Sequence, residues 1–369
     1  MAIQWHYRRS DLTDVFLSTF TAASTSTLTL FAPRRMGKTE FILYDLIPVA
    51  NERGFLPVYV SFWEHRNDPV RCLQAGLSQA QRDLNWAQKL RTIEFSPKNF
   101  KLAGAGLSAS VELPSASTLK TPDDNQLAAL RDSFNQLLTV NKPILLCLDE
   151  VQHLATDTTF EPLVYFLRTI IDRHREQLKV VYTGSSRDGL QRLFRRRKAP
   201  LFQSSSQIDL PELGASFVQH ILTAFTEASG RQVQLNEALS AFRSVKKVPF
   251  EFRQIIDIML RAGISDIAKV TESYLSDSID TAGYEEAWDT LKPIDRAILV
   301  RLLTTGRGLY SDEARVFIAD YLGLPLEDVT KYGIQNAVNR MRGVYITRIE
   351  QGVWDFEDQQ FRDWICEQA

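Results

Sequence analysis

The sequence predicts an α/β fold in which a parallel sheet carries helices on both faces, followed by an α-helical lid and a winged-helix domain. Three observations lead to this prediction. Short apolar runs alternate with helix-forming segments over residues 28–210, as in parallel sheets with crossover helices. Residues 214–282 then have helical periodicity throughout. The last segment has the pattern of three helices and a hairpin. The predicted divisions are residues 1–213, 214–284 and 285–369.

The elements of the first division follow from periodicity, capping residues and β-branched runs. Helices are predicted at residues 4–22, 38–52, 69–84, 123–140 and 159–175. Strands are predicted at residues 28–31, 57–62, 144–149, 178–186 and 207–210. Within residues 96–120, the segment 100–113 alternates around two glycines between flanks rich in Ser, Pro and Thr. This pattern predicts an inserted hairpin, which is either a contact arm or a surface loop without a partner.

Composition and charge restrict the possible partners. The chain of 369 residues has a formal net charge of −2, which gives no general attraction to nucleic acid or to an anionic membrane. Cys72, Cys147 and Cys366 are scattered and lack metal-ligand spacing, as expected in a reducing cytosol. The sequence has no signal-like apolar N-terminus and no apolar run of about 18 residues. We therefore expect a cytoplasmic protein without a membrane partner.

The first buried strand leads into a turn that ends Gly37-Lys38-Thr39 and then into an amphipathic helix. This order is typical of a phosphate-binding loop, whose backbone N–H groups and helix N-terminus face nucleotide phosphates. Lys38 is expected to reach the β- and γ-phosphate oxygens, and Thr39 to bind Mg²⁺. Ala32 stands where the usual pattern has a glycine. Nucleotide contacts are predicted for Pro33, Arg34, Arg35, Met36, Gly37, Lys38, Thr39 and Glu40.

A second motif, Asp149-Glu150, ends the apolar run of residues 144–148. Asp149 is predicted to hold Mg²⁺ through its water shell, and Glu150 to polarise the water that attacks the γ-phosphate. Paired carboxylates often only cap the next helix, but the preceding loop favours the catalytic interpretation. Both motifs follow strands, where parallel sheets bind their ligands. The predicted fold is therefore that of a P-loop NTPase, with ATP and Mg²⁺ as its ligands.

Further polar groups are predicted near the γ-phosphate. The strand at residues 178–186 ends in Ser185 and Ser186, where a hydroxyl would act as a sensor. Arg196 or Arg197 would reach the nucleotide of a neighbouring subunit, as arginines supplied in trans do. The alternative for these arginines is a solvated basic helix end. Arg253 in the lid could point back at the nucleotide, and a plain salt bridge is its favoured alternative.

The C-terminal division, residues 285–369, has the pattern of a winged helix, with three helices and two strands joined by Gln351-Gly352. Residues 286–369 hold 10 Lys and Arg against 14 Asp and Glu, a formal net charge of −4, whereas groove-binding modules are usually basic. Contact with protein is therefore favoured over contact with DNA. The side chains that could face DNA are Lys331, Gln335, Asn336, Asn339, Arg340 and Arg342.

With these segments in place, the chain resembles the archaeal-type P-loop ATPases, relatives of the STAND and origin-recognition branches of AAA+. The resemblance covers nearly the whole length. It rests on Tyr7-Arg-Arg-Ser-Asp-Leu12, Ala32-Pro-Arg-Arg-Met-Gly-Lys-Thr39, Leu148-Asp-Glu150, Thr183-Gly-Ser-Ser186, Arg197-Lys-Ala-Pro-Leu201 and Trp354-Asp-Phe-Glu-Asp-Gln-Gln-Phe-Arg-Asp-Trp364. It implies ATP, Mg²⁺ and assembly controlled by nucleotide. The chain departs from the family pattern at Gln203-Ser-Ser-Ser206, where Gly-Arg is usual, and at Lys247-Val-Pro249, where Gly-His-Pro is usual.

The sequence therefore predicts an ATP-binding and ATP-hydrolysing molecular switch of the AAA+/STAND type. Turnover is expected to be slow, and the protein is expected to assemble as a homo-oligomer or with a partner protein. Two other functions stay open. One is a DNA-binding winged-helix protein that ATP regulates, and the other is a scaffold that binds ATP without turnover.

Overall fold

The computed structural model describes residues 3–22, 25–92, 119–185, 187–194, 199, 201, 204–281, 283–350 and 352–368. Its central sheet has five parallel strands in the order β2-β3-β4-β1-β5. The strands are β1 (Thr27–Phe31), β2 (Leu56–Ser61), β3 (Ile144–Asp149), β4 (Leu178–Gly184) and β5 (Ser206–Asp209). The parallel sheet predicted from the alternating pattern is confirmed.

Helices cover both faces of this sheet. The helix that follows β1 is continuous over residues 38–52, but its middle turn, Phe41–Leu46, is π-helical. Two short 3₁₀ turns, Val151–Ala155 and Thr158–Phe160, follow β3. The helices are α1 (Ser10–Ala22), α2 (Lys38–Glu40), α3 (Ile47–Glu52), α4 (Pro69–Thr92), α5 (Asp124–Leu138), α6 (Glu161–Arg173) and α7 (Arg187–Phe194).

Alternating residues of β3 explain why the sheet has a core on each side. Leu145 and Cys147 pack with α1 and the helix after β1, whereas Leu146 and Leu148 pack with α4, α5 and α6. Successive side chains of a strand point to opposite faces, and all six residues of β3 are buried. A fully apolar strand is typical of a parallel sheet covered on both sides.

The strand register brings the predicted motifs to one edge. Asp149 at the end of β3 pairs with Ser61 of β2, and Leu148 pairs with Tyr182 of β4. Phe31 at the end of β1 pairs with Gly184 of β4. The segments that follow β1, β3 and β4 therefore leave the sheet side by side at its carboxyl edge.

Four helices form the lid (residues 214–284) and enclose their own apolar cluster. Phe217, Phe242 and Phe252 meet at its centre, with ring centroids 5.3–6.0 Å apart. Trp5 and Tyr7 from the N-terminal segment pack against this cluster. The predicted helix at residues 4–22 therefore begins later, at Ser10, because the residues before it extend across to the lid. The lid helices are α8 (Ala215–Ser229), α9 (Leu235–Ser244), α10 (Pro249–Ala262) and α11 (Ile267–Thr281).

The C-terminal region has the predicted winged-helix order. A short extra helix precedes the three predicted ones, a short antiparallel hairpin follows them, and a last helix closes the domain around one apolar cluster. Its elements are α12 (Tyr284–Thr290), α13 (Pro293–Thr304), α14 (Asp312–Leu322), α15 (Lys331–Met341), β6 (Ile346–Glu350), β7 (Val353–Phe356) and α16 (Gln359–Gln368). The domain boundaries at residues 213/214 and 284/285 stay predictions.

Some predictions fall outside the described residues. These are the hairpin at residues 96–120, of which only the last two residues are described, and the side chains of Ser186, Arg196 and Arg197. Within the described part of the chain, no helix combines the length and the apolar character needed to cross a membrane.

Candidate functional site

The turn after β1 is here called the loop (residues 32–39), and it surrounds the side chain of Lys38. Only 5% of the residue is exposed. Its Nζ donates to the carbonyl oxygens of Ala32, at 2.7 Å, and Pro33, at 2.8 Å. Burial lowers the pKa of Lys38, and the charges of Glu150 and Asp149 oppose that effect. The loop thus closes around a buried ammonium group that also faces two carboxylates.

Two residues of the loop adopt left-handed backbone conformations, Arg35 with φ 65° and Gly37 with φ 87°. Ala32, at the position where a glycine is usual, does not have a positive φ. The backbone at residue 32 therefore tolerates a side chain. Alanine in place of glycine at position 32 is therefore compatible with the conformation of the loop.

Asp149 lies at the carboxyl end of β3 with 2% of its surface exposed. Its Oδ2 accepts from the Thr39 hydroxyl at 2.8 Å and from the Tyr59 hydroxyl at 2.9 Å. Its Oδ1 accepts from the Thr183 hydroxyl and from the Glu150 backbone N–H. Burial and the nearby Asp149 charge raise the pKa of Tyr59, which keeps that phenol a donor. Four donors compensate the burial of this carboxylate.

Glu150 follows in a left-handed backbone conformation, with φ 56°. This turn separates its side chain from that of Asp149. Its Oε2 accepts from the Ser185 hydroxyl at 2.9 Å and from the amide Nε2 of Gln152. Ser185, predicted as a sensor beside the nucleotide, thus contacts the carboxylate that is predicted to activate water.

Gln152 completes this network. Its Nε2 also donates to the Ser185 hydroxyl at 3.2 Å, whereas its buried Oε1 has no hydrogen-bond donor among the described residues. Glycines make room for the side chain, because a Cβ at Gly184 would lie 2.6 Å from Oε1 and one at Gly189 would lie 2.5 Å from the Gln152 Cβ. Gln152 therefore packs closely over Gly184 and Gly189.

The donor set fits a magnesium nucleotide. Thr39 and Asp149 offer a hydroxyl and a carboxylate oxygen 2.8 Å apart, and Mg²⁺ prefers hard oxygen ligands. The loop offers the buried cation of Lys38 and the N-terminus of the helix at residues 38–52, both of which suit phosphate. Thr39 and Asp149 would hold the metal, and Lys38 the phosphates.

Three arginines near the site point in different directions. The Arg34 guanidinium lies 5.4 Å from the ring centre of Trp63, beyond the end of β2. Arg35 leaves the loop and pairs with Glu251 of the lid at 2.5 Å. The guanidinium of Arg253 lies 4.0 Å from the ring centre of Trp5. It also pairs with Asp257 at 3.4 Å, so the salt bridge predicted as the alternative is present.

Several residues that support the site were not predicted to do so. Tyr59 and Thr183 hold Asp149, Gln152 holds Glu150, and Arg9 donates to the carbonyl oxygen of Met36 in the loop at 3.2 Å. The available signal was positional, because Thr183 is the penultimate residue of β4, beside the end of β3. Arg9 belongs to the Tyr7–Leu12 motif, which gave no indication of its partner.

Apart from Asn336, which is exposed on α15, the winged-helix residues considered for DNA contact fall into two groups. Arg340 pairs with Asp295, a carboxylate with 2% exposure, at 2.5 Å. Four others line a cavity of about 450 Å³ between α15 and the hairpin. That cavity is lined by Tyr310, Lys331, Gln335, Asn339, Arg342, Arg348, Gly352 and Trp354.

The fold and the site define a P-loop NTPase core with a helical lid and a winged helix. No family model matches the chain, and no curated protein matches it significantly. Among solved structures, the Walker-type ATPase of Pyrococcus abyssi is similar over 97% of both chains, with 17% identity and a TM-score of 0.59.

The ORC2 protein of Aeropyrum pernix is also similar in its ADP form, over 97% of this chain and 93% of that one, with 13% identity and a TM-score of 0.56. Its ADPNP–ADP complexes give a TM-score of 0.53 at the same identity and coverage. These structural neighbours confirm, at the level of the fold, the resemblance to archaeal P-loop ATPases and origin-recognition proteins.

Proposed function

We propose that this protein binds ATP with Mg²⁺ and hydrolyses it slowly as a molecular switch. One observation carries the proposal: the Thr39 hydroxyl and the Asp149 carboxylate are hydrogen-bonded at the edge where Lys38 is buried. The structural neighbours support it, because one is a Walker-type ATPase and another is described with ADP and ADPNP.

Each residue of the site has a separate role in this proposal. Lys38 and the backbone of the loop bind the phosphates, and Thr39 with Asp149 holds the metal. When bound, Mg²⁺ neutralises charge on the phosphate oxygens. Glu150 positions the attacking water and accepts its proton, while Ser185 and Gln152 fix the orientation of Glu150 by two hydrogen bonds. Tyr59 and Thr183 keep Asp149 in place.

The switch would act on assembly. In this proposal, nucleotide changes how the lid packs on the loop, and other copies of the chain or partner proteins bind the altered surface. Arg253 as a sensor and Arg196 or Arg197 as arginines acting in trans stay predictions within it, as does the cytoplasmic location. A trans arginine contributes roughly 10³–10⁵ in rate in enzymes that use one.

The test combines ATP turnover with ATP binding. We expect Lys38→Ala to lose binding, and Glu150→Gln to retain binding but lose about 10²-fold or more of the turnover, because it lacks the base. Glu52→Gln, an exposed residue at the end of α3, is the control and should match the wild type. Turnover by Glu150→Gln at the wild-type rate would show that the catalytic assignment is wrong. Nucleotide retained without any turnover would favour the scaffold.

The second candidate function is DNA binding by the winged helix, and the basic cavity favours it. Lys331, Arg342 and Arg348 line that cavity together with the ring of Trp354. Duplex binding that weakens with salt and is lost in Lys331→Ala and Arg342→Ala would support this function. Arg340→Ala is unsuitable for the test because it would also leave the buried Asp295 without its partner.

A further inference from the structure

The side chain of Arg35 connects the loop to the first turn of lid helix α10. Its Nη1 lies 2.5 Å from Oε1 of Glu251, and its guanidinium lies 5.1 Å from the ring centre of Phe250. Its carbonyl oxygen also accepts from the Phe250 N–H at 3.4 Å. One loop residue therefore contacts the lid through charge, ring stacking and backbone.

Glu251 depends on this contact. Only 2% of the residue is exposed, and a buried carboxylate is costly unless donors satisfy it. Tyr274 of α11 donates to its Oε2, and Arg35 donates to its Oε1. The lid thus supplies one donor from its own helices and takes the other, charged donor from the loop. Movement of the lid away from the loop would remove the charged donor.

The winged helix lies at the same junction. The Tyr284 hydroxyl, at the start of α12, donates to Asp358, just before α16, at 3.0 Å. The pKa of Arg35 is raised. Burial acts to lower it, but the hydrogen bond and the charge of Glu251 outweigh burial, with smaller contributions from Tyr274 and Asp358. Glu251 and Tyr274 of the lid and Asp358 of the winged-helix domain therefore act together on the guanidinium of one loop residue.

We propose that Arg35 is a positioning residue that latches the lid onto the loop through Glu251, and that the terminal phosphate of ATP competes with Glu251 for it. The second half rests on the proposed function. A guanidinium fork matches carboxylate and phosphate equally well, and Arg35 lies three residues before the phosphate-binding Lys38. ADP lacks the competing phosphate and leaves the latch closed.

The latch is tested first without nucleotide. Glu251→Gln keeps the shape of the side chain but removes its charge, and Glu227→Gln makes the same change at an exposed lid position. We expect the first-turn amides of α10 to exchange hydrogen about tenfold faster in Glu251→Gln, and at the wild-type rate in Glu227→Gln. Arg35→Gln breaks the same pair at its more exposed partner and should give the same increase in exchange. It replaces Glu251→Gln in the test if that variant does not fold. Wild-type exchange in either folded latch variant would overturn the latch.

Competition is tested by comparing the affinities for ATP and ADP. We expect Glu251→Gln to bind ATP about tenfold more tightly than the wild type, because Arg35 no longer has to leave a charged partner, and to bind ADP within about twofold of it. Glu227→Gln should bind both as the wild type does. Equal changes for ATP and ADP, or none, would overturn the competition. If neither the wild type nor any variant binds ATP, the proposed function and the competition both fail, while hydrogen exchange still decides the latch.

Discussion

The Thr39 hydroxyl donates to the Asp149 carboxylate over 2.8 Å, although 110 residues separate them in the chain. The two residues belong to different motifs, one after β1 and the other at the end of β3, and β4 lies between those strands. Their contact requires both segments to reach one edge of the sheet. Two motifs that are separate in sequence therefore form one site.

Thr183 supports Asp149 from the neighbouring strand, so its loss should destabilise the core. Thr183→Val keeps the shape but removes a donor from a carboxylate that is 2% exposed. We expect the free energy of unfolding to fall by about 1–3 kcal/mol in a urea titration. Thr223→Val, at an exposed position of α8, is the control and should change it little. Equal stabilities for the two variants would contradict this role for Thr183.

Gly184 leaves room for Gln152, so a methyl group there should disturb Glu150. A Cβ at this position would lie 2.6 Å from Gln152 Oε1 and 2.8 Å from Leu190 Cδ2. Both are ends of flexible side chains that can move, so we expect Gly184→Ala to fold but to lose about tenfold in ATP turnover. Gly214→Ala adds a Cβ with no atom within 4 Å and is the control. Unchanged turnover in Gly184→Ala would mean that Gln152 does not orient Glu150.

Arg340 should matter for the stability of the winged helix. It satisfies Asp295, which is almost fully buried, while 43% of the Arg340 side chain remains exposed. Because that exposure lessens the cost of breaking a buried pair, we expect Arg340→Ala to lower the free energy of unfolding by about 2 kcal/mol. Lys331→Ala breaks an exposed pair with Asp312 and should change the free energy of unfolding much less. The reverse order of the two losses would be inconsistent with this assignment.

The three cysteines should differ in reactivity. Burial raises the pKa of Cys72 to about 11 and also raises the pKa of Cys147, whereas Cys366 is exposed. Alkylation requires the thiolate, which is scarce at pH 8 when the pKa lies well above that value. Intact mass after iodoacetamide treatment should show one adduct on the folded chain and three after unfolding. Two or more adducts on the folded chain would contradict the described burial.

The sheet and both motifs could be predicted because local patterns determine them. The first five residues of β3 are apolar and the sixth is Asp149. The turn before Lys38 has the residue order of a phosphate-binding loop. Element ends were less predictable, since α4 continues to Thr92 although its apolar pattern weakens after residue 84. The helix α12 was not predicted because it has no buried residue and therefore no clear apolar stripe.

Long-range pairing could not be predicted. Arg35 and Glu251 are 216 residues apart, and every arginine of the sequence has many possible carboxylate partners. Arg340 has the spacing of a groove-facing residue on its helix, yet it pairs with Asp295 of α13. The tolerance for Ala32 follows from backbone angles, which the sequence does not contain. These features depend on how the folded segments meet, which local periodicity does not determine.

The central claim is that a magnesium triphosphate binds between the loop and the end of β3. Its most direct test is calorimetric titration of ATP into the wild type and Asp149→Asn, each with and without Mg²⁺. We predict that Mg²⁺ tightens ATP binding to the wild type by about tenfold or more, and that Asp149→Asn loses this gain while it still binds ATP. An equal effect of Mg²⁺ on both proteins, or no binding of ATP to the wild type, would contradict the claim.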